Sequence, residues 1–263
     1  MAVEWSTEVE AGAWLVDVLT TFGGSVGSIV PPVFEAYARV FHPVEGPDRR
    51  WTDVAARNGR IAHPEMQYHL IRCRPGEAPP PDDVVDGFND LDEGYGSCPR
   101  PELAVLADLL TAHTTTPDDC WFAAWEGWGQ MGSGRRALTT TGRGAALPGI
   151  CPSKVYDGPR LPLPGRAYIL LHGAVADAGA CHDLLERQSP SLWWPADRAW
   201  CVATEIDVGW TYVGGTAEAV ADVLAAPDLE ALRARPTDGI AMDADLLNAA
   251  LDERAAADRP PGA

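Results

Sequence analysis

The stretch Ser189 to Thr216, SPSLWWPADRAWCVATEIDVGWTYVGGT, restricts the fold more than any other part of the chain. It gathers four of the ten tryptophans behind a proline-flanked entry. Within it, Ala199 to Asp207 is rich in aromatic and β-branched residues, the composition of a strand. Alternation places Trp200, Val202, Thr204 and Ile206 on one face and Ala199, Cys201, Ala203, Glu205 and Asp207 on the other. Both faces are apolar over the first five residues, which predicts a strand covered on both sides. The small residues of the second face leave room for large side chains above them. Its far end carries two carboxylates about 7 Å apart. Gly209 breaks the run, Trp210 to Val213 resumes it, and Gly214-Gly215 ends it. Thr216 suits the N-cap of a helix over 217–226.

The same rules predict elements elsewhere. Trp14, Val18 and Phe22 recur at helical spacing within Ala11 to Phe22, and Gly23-Gly24 ends that helix. Ser25 to Val30 reads as a strand closed by Pro31-Pro32, and Val33 to Phe41 fits strand or helix equally. Trp51 to Asn58 is helical, with Gly59 in the position that commonly ends a helix. Glu65 to Arg72 fits either state. Leu103 to His113 is a helix with Pro101 near its start and four leucines facing a core. Asp119 to Gly129 and Arg166 to Gly173 read as strands, the second apolar enough to be interior. The C-terminal third reads as helices over 217–226, 228–235 and roughly 243–255.

Two connectors stand apart by charge. Residues 77–102 hold eight acids against Arg100 alone, so Pro75 to Pro101 is expected to be a mobile acidic loop. Met131 to Gly165 is a Gly/Pro-rich loop and, taken through Arg166, the one basic region of an acidic chain. The expectation is a single globular α+β domain over 1–254: a mixed, mainly antiparallel sheet packed by helices, with long Pro/Gly-rich loops. Residues 255–263 form a disordered tail. The sheet is expected to include 25–30, 120–127, 166–173 and 199–207, with helices near 103–113 and 217–254 against it.

A net charge of −18 argues against nucleic acid, whose phosphates need clustered Lys and Arg. It suits a soluble protein or one that meets a basic protein partner. The opening MAVEWSTEVE has no basic n-region followed by an apolar h-region, and no apolar run approaches the roughly 18 residues of a membrane span. A cytoplasmic protein off the membrane is expected. Six scattered cysteines form no C-x-x-C pair, so neither a zinc ribbon nor disulfides are expected.

Catalytic motifs fail on context. Gly23-Gly24-Ser25-Val26-Gly27 spells G-x-S-x-G, but a nucleophile elbow needs a strand before the serine and a helix after it, and the order here is reversed. Gly132-Ser133-Gly134-Arg135-Arg136 opens like a dinucleotide fingerprint without its third glycine or its strand-to-helix setting. Arg135 and Arg136 nonetheless suit an anion, since Gly/Arg turns can form a nest. The six histidines give no H-E-x-x-H and no ligand frame for a metal, and no cofactor is expected. One constellation remains. The Trp121 and Trp200 runs share a W-x-x-A-x-E spacing, so neighbouring strands would gather Glu126, His172 and Glu205 at one sheet end with Asp207 beyond. Carboxylates beside an imidazole support acid–base chemistry. Against this, each polar residue also marks where its strand leaves the core for water. Trp193, Trp194 and Trp200 read as core or, alternatively, as a groove for a ligand or peptide.

SLWWPADRAWCVATEID followed by TYVGG resembles a stretch found in uncharacterised proteins of GC-rich actinobacteria. Ser28 to Tyr37 and Trp51 to Ala55 share the resemblance, which spans most of the chain. Lys154 as sole lysine beside nineteen arginines fits a GC-rich genome. The resemblance implies no activity, cofactor or catalytic residue. The leading expectation is a non-catalytic binding protein, with a small-molecule hydrolase built on Glu126, His172, Glu205 and Asp207 as the alternative.

Overall fold

Tryptophans on alternate positions of neighbouring strands divide the interior into two layers, one on each face of a single sheet. The computed structural model describes residues 2–44, 50–77, 95–132, 135–136 and 146–258, with the side chains of 135–136 and 146–147 excepted. In chain order the strands are β1 (Glu4–Ser6), β2 (Ala36–Phe41), β3 (Cys120–Trp125), β4 (Arg135–Arg136), β5 (Ala146–Leu147), β6 (Leu161–Leu163), β7 (Arg166–Gly173), β8 (Leu192–Pro195), β9 (Cys201–Ala203), β10 (Trp210–Gly215) and β11 (Glu230–Ala234). The helices are α1 (Ala13–Val18), α2 (Trp51–Arg57), α3 (Tyr68–Ile71), α4 (Arg100–Thr111), α5 (Ser153–Tyr156), α6 (Ala180–Leu184), α7 (Ala217–Ala225) and α8 (Leu246–Ala257). Nine strands form one sheet in the order β1-β7-β3-β8-β9-β10-β2-β11, with β6 also on β7, while β4 and β5 pair separately. Every described pairing is antiparallel. The fold is α+β.

The first layer holds Ala38, Val40, Phe122, Ile169, Leu171, Trp193, Val202 and Val213. It is covered by Leu103, Leu106 and Leu110 of α4 and by Val220 and Val223 of α7. The second holds Tyr37, Phe41, Ala123, Leu170, Trp194, Cys201, Trp210 and Tyr212 under Leu15, Trp51, Val54 and Ile71. Each large side chain taken fully out of water stabilises the fold by about 1.5–3 kcal/mol before chain entropy is counted. Small residues in β3 and β9 alternate with the tryptophans, and this lets the rings interdigitate.

Local chemistry sets the helix ends. Thr216 Oγ1 accepts the Ala219 amide at 3.1 Å and starts α7 as expected. Pro101 lies in the first turn of α4, where a missing amide costs nothing. Gly59 follows α2 with φ +66, the left-handed conformation that favours glycine. The N-terminus of α2 is capped from a distance: Glu230 accepts the amides of Trp51 and Thr52, each at 2.7 Å. Val33 to Phe41 resolves as strand β2 and Glu65 to Arg72 as the short helix α3.

Three expectations about elements are corrected. Ser25 to Val30 is not a sheet strand: Val26–Ser28 is a 3-10 turn, and only Ser25 makes an isolated bridge, to Gly239. Ser28 Oγ bonds the carbonyls of Ser25 at 2.6 Å and Gly23 at 3.0 Å, a local arrangement that competes with strand pairing. The strand expected over 199–207 is confined to β9. Glu205 Oε1 accepts its neighbour's amide, Ile206 N, at 3.0 Å and turns the chain. Within 228–235, residues Glu230–Ala234 form edge strand β11, not a helix, because Leu232 and Ala234 pack in the second layer and the backbone pairs with β2. Tertiary pairing here outweighs the helix propensity of Leu-Glu-Ala-Leu-Arg-Ala.

Of the acidic connector expected over 75–101, residues 78–94 lie outside the described residues. Its C-terminal end is anchored: the Gly96 amide donates to Val208 O at 2.8 Å and the Cys98 amide to Ser189 Oγ at 2.8 Å. Gly96 adopts φ +71, and a Cβ there would collide with the Ile206 carbonyl. The basic Gly/Pro stretch 131–165 contains the β4–β5 ladder, α5 and β6, with 133–134 and 137–145 outside the described residues. At the C-terminus α8 runs to Ala257, and 259–263 lie outside.

Candidate functional site

The sheet does not gather Glu126, His172 and Glu205 at one end. Because β3 and β7 are antiparallel, Trp121 pairs with His172 while Trp125 pairs with Tyr168. Glu126 continues that ladder, its amide donating to Ala167 O at 3.0 Å. His172 is therefore five residues further along β7 from Glu126's partner, about 16 Å at strand rise.

Glu126 and Glu205 also belong to opposite faces. Alternation puts Glu126 on the face of Phe122 and Ala124, in the first layer, and Glu205 on the face of Cys201 and Ala203, in the second. Each carboxylate has its own arginine. Arg160 Nε holds Glu126 Oε2 at 2.8 Å, and the same guanidinium donates to the carbonyls of Val155, Tyr156 and Gly158 beside α5. Arg166 Nη2 bridges Glu205 Oε1 at 2.8 Å and Asp207 Oδ2 at 3.1 Å. Its guanidinium lies 4.7 Å from the Phe22 ring centroid and 5.1 Å from that of Trp125. Burial draws the Arg166 pKa down, but the Glu205 hydrogen bond and the two acidic charges outweigh it and leave it raised. Beside Glu205 a cavity of about 20 Å³ is lined by Ser28, Tyr168, Ser191 and Thr204, which is room for one water and no metabolite. Burial, reinforced by the Glu205 charge, pushes the Tyr168 hydroxyl far above the usual tyrosine range. That end of the sheet is a satisfied polar plug.

The proposed aromatic and arginine contacts also separate. Trp193, Trp194 and Trp200 are 1%, 1% and 0% exposed, so no groove presents their rings to a ligand. Trp193 and Trp200 meet edge to face with centroids 5.0 Å apart, and Trp200 Nε1 donates to Leu110 O at 3.0 Å. Trp194 packs edge-on against Trp14 in the second layer. Arg135 and Arg136 lie on β4, and their side chains fall outside the described residues. Among the described residues no cluster of three or more His, Cys, Asp or Glu side chains is placed to hold a metal ion. No described helix is long and apolar enough to cross a membrane.

His172 leads to a different site, at the β1 end of the sheet. Position 172 of β7 is flanked by Glu4 of β1 on one side and Trp121 of β3 on the other. Directly opposed residues share a face, so carboxylate, imidazole and indole stand in a row. Asp119 extends from the start of β3, its Oδ1 at 2.8 Å from His172 Nε2. The imidazole and the Trp121 ring tilt together at 42° with centroids 4.5 Å apart. A groove of about 390 Å³ runs over these groups and continues along Trp5, Ser6 and Glu8. Three carboxylates, His172 and the Trp121 indole line it, with Trp5 contributing from β1, and no Lys or Arg does among the described residues. Glu4, Glu8 and Asp119 are exposed, while Trp5, Trp121 and His172 are half-buried. A rigid aromatic wall with carboxylates at its rim attracts a cation through both charge and the ring quadrupole.

Sequence reasoning did not assign a role to Glu4, Trp5, Glu8 or Asp119. Their one signal is acidity next to tryptophan near the N-terminus, and nothing local tells which strand β1 joins. No protein-family model, curated protein or solved structure matches the chain.

Proposed function

We propose that this is a non-catalytic binding protein that receives a cationic segment of a basic protein partner in the groove at the β1 edge. The observation that carries this reading is the lining itself: Glu4, Glu8 and Asp119 around Trp121, with no basic side chain other than His172 among the described residues. The excess of 18 negative charges over the whole chain would speed the approach of such a partner. All six cysteines are free and buried, which accords with a cytosolic protein. The hydrolase alternative has for support only the His172–Asp119 pair, since Glu126, Glu205 and Asp207 are held elsewhere by arginines.

The test is titration of the full chain with an arginine- and lysine-rich peptide at several salt concentrations. Wild-type protein is expected to bind with affinity that falls as salt rises. The double variant Glu4→Gln/Asp119→Asn is expected to bind about tenfold more weakly, and Trp121→Leu to lose the ring contribution of about 0.5–1 kcal/mol. Equal binding by wild type and the double variant would remove the groove from consideration.

A further inference from the structure

A full positive charge lies in the second layer without a carboxylate partner among the described residues. Arg39 is the central residue of β2, between β10 and β11, and is 0% exposed. Its guanidinium carbon sits 3.7 Å from the ring centroid of Trp210, 4.5 Å from Phe41 and 5.6 Å from Trp51. One nitrogen, Nη1, donates to the carbonyl of Pro64. Burial lowers the Arg39 pKa to about 10, which still leaves the group charged at neutral pH.

The acidic groups that act on Arg39 electrostatically, Asp245 and Glu65, are engaged elsewhere. Asp245 accepts from His63 Nε2, the Gln67 amide and Asn248, and Glu65 Oε1 accepts the Gly239 amide. Neither forms an ion pair with Arg39 among the described residues. Among the described residues Arg39 Nε and Nη2 have no acceptor, nor has the indole N–H of Trp210, and the Tyr212 hydroxyl is likewise unpaired. Tyr212 lies directly across from Arg39 in the β2–β10 register, and the Arg39 charge acts on its hydroxyl. The Trp210 indole N–H also acts on that hydroxyl without meeting hydrogen-bond geometry. Buried donors are almost always satisfied, so a set centred on one cation calls for a shared acceptor.

The Nε and Nη2 protons of a guanidinium leave the same edge in parallel, the fork that matches two oxygens of one oxyanion. We propose that this edge of Arg39, with the Tyr212 hydroxyl and the Trp210 indole N–H, is a binding site for a small oxyanion that offers two oxygens side by side. The rings of Trp210 and Phe41 packed on the guanidinium strengthen the interaction by excluding water. Entry is through the segment over Arg39 that carries Pro64. That cover is tied down by polar contacts: Ile61 to Asn248, His63 to Asp245 and Gln67 to Asp245. In α8 only Asn248 is buried, but the segment itself buries Met66, so lifting the cover exposes one large apolar side chain besides breaking these polar ties.

The test uses the full chain labelled with 15N in its arginine side chains. Sodium acetate and sodium sulfate are titrated separately at constant ionic strength, with chloride as the balancing ion. The Arg39 Nε–H signal, identified by its loss in Arg39→Lys, is expected to shift saturably with at least one probe and to slow in solvent exchange. Response to acetate alone assigns the site to carboxylates; response to sulfate, with or without acetate, assigns it to inorganic oxyanions. Tyr212→Phe is expected to weaken the responding probe about tenfold. If Arg39→Lys does not fold, the Arg39 Nε–H signal is assigned instead by its through-space contact with the Trp210 ring, whose centroid lies 3.7 Å from the guanidinium carbon. No saturable shift with either probe, an equal shift with chloride alone, or unchanged affinity in Tyr212→Phe would each overturn the proposal.

Discussion

Replacing Asp245 by alanine probes the most heavily bonded carboxylate of the second layer. Asp245 is 0% exposed and accepts His63 Nε2 at 2.7 Å, the Gln67 amide at 3.0 Å, the Asn248 amide at 3.0 Å and Asn248 Nδ2 at 2.9 Å. The Asn248 amide bond is the N-cap of α8. Loss of a cap costs about 1 kcal/mol, and each buried donor left without an acceptor costs about 1–3 kcal/mol. With the Gln67 amide orphaned and Asn248 Nδ2 left with the Ile61 carbonyl alone, Asp245→Ala is expected to destabilise by about 2–4 kcal/mol. Asparagine keeps one oxygen for the Asn248 amide but turns its NH2 toward the Gln67 amide, so Asp245→Asn should lose that bond and the charge assistance, about 2–3 kcal/mol. Burial alone would raise the Asp245 pKa, but its hydrogen bonds from His63, Asn248 and Gln67 outweigh that and hold it below the ordinary value. The native state thus binds a proton less readily than the unfolded chain. Its stabilisation is complete above the unfolded pKa of about 3.9 and is lost as pH falls through the lower folded value. Urea unfolding at pH 7 and at acidic pH measures these differences. Hydrogen exchange at residues 246–257 separates local release of α8 from global loss, because the helix buries so little. An Asp245→Ala protein that loses less than about 1 kcal/mol and keeps wild-type exchange in α8 would refute the reasoning.

The two arginine–carboxylate pairs should differ sharply. Arg166→Met strands a Glu205 side chain that is 9% exposed and should cost about 2–3 kcal/mol, whereas Glu126→Gln, which removes a 42%-exposed carboxylate and leaves the backbone bonds of Arg160 in place, should cost under about 1 kcal/mol. Equal losses in thermal unfolding would contradict that ranking. Trp200→Phe removes the bond to Leu110 O and opens space in the first layer, for an expected loss of about 2–3 kcal/mol in chemical denaturation. Burial pushes the Cys98 thiol up to about 12 and Cys151 up to about 11. Native protein should therefore react with a disulfide reagent far more slowly than urea-unfolded protein, and labelling of either cysteine at the free-thiol rate would show that the cores open readily.

Elements with short-range causes were legible in the chain itself. The span 166–173 is apolar between Arg166 and His172 and forms β7 with the expected limits. Thr216 caps α7 because a hydroxyl three residues from an amide needs no tertiary partner. Leucine spacing marks α4, and β-branched and aromatic content marks β3 and β9. Where local preference and tertiary pairing conflict, the sequence misleads. Residues 230–234 have helical composition yet complete the edge of the sheet, and 206–207 turn because Glu205 bonds the next amide.

The candidate site was illegible for a related reason. His172 was visible as a polar residue ending a buried strand, but its neighbours come from β1 and β3, about 170 and 50 residues away in the chain. Alternation determines which side chains share a face within one strand, and that much of the two-layer interior follows from residue order. Strand order and register decide which faces meet. They separate Glu126 from Glu205, place Glu4 beside His172, and leave the Arg39 fork without a carboxylate. Those outcomes depend on contacts between distant segments, whose free energy no stretch of sequence carries alone.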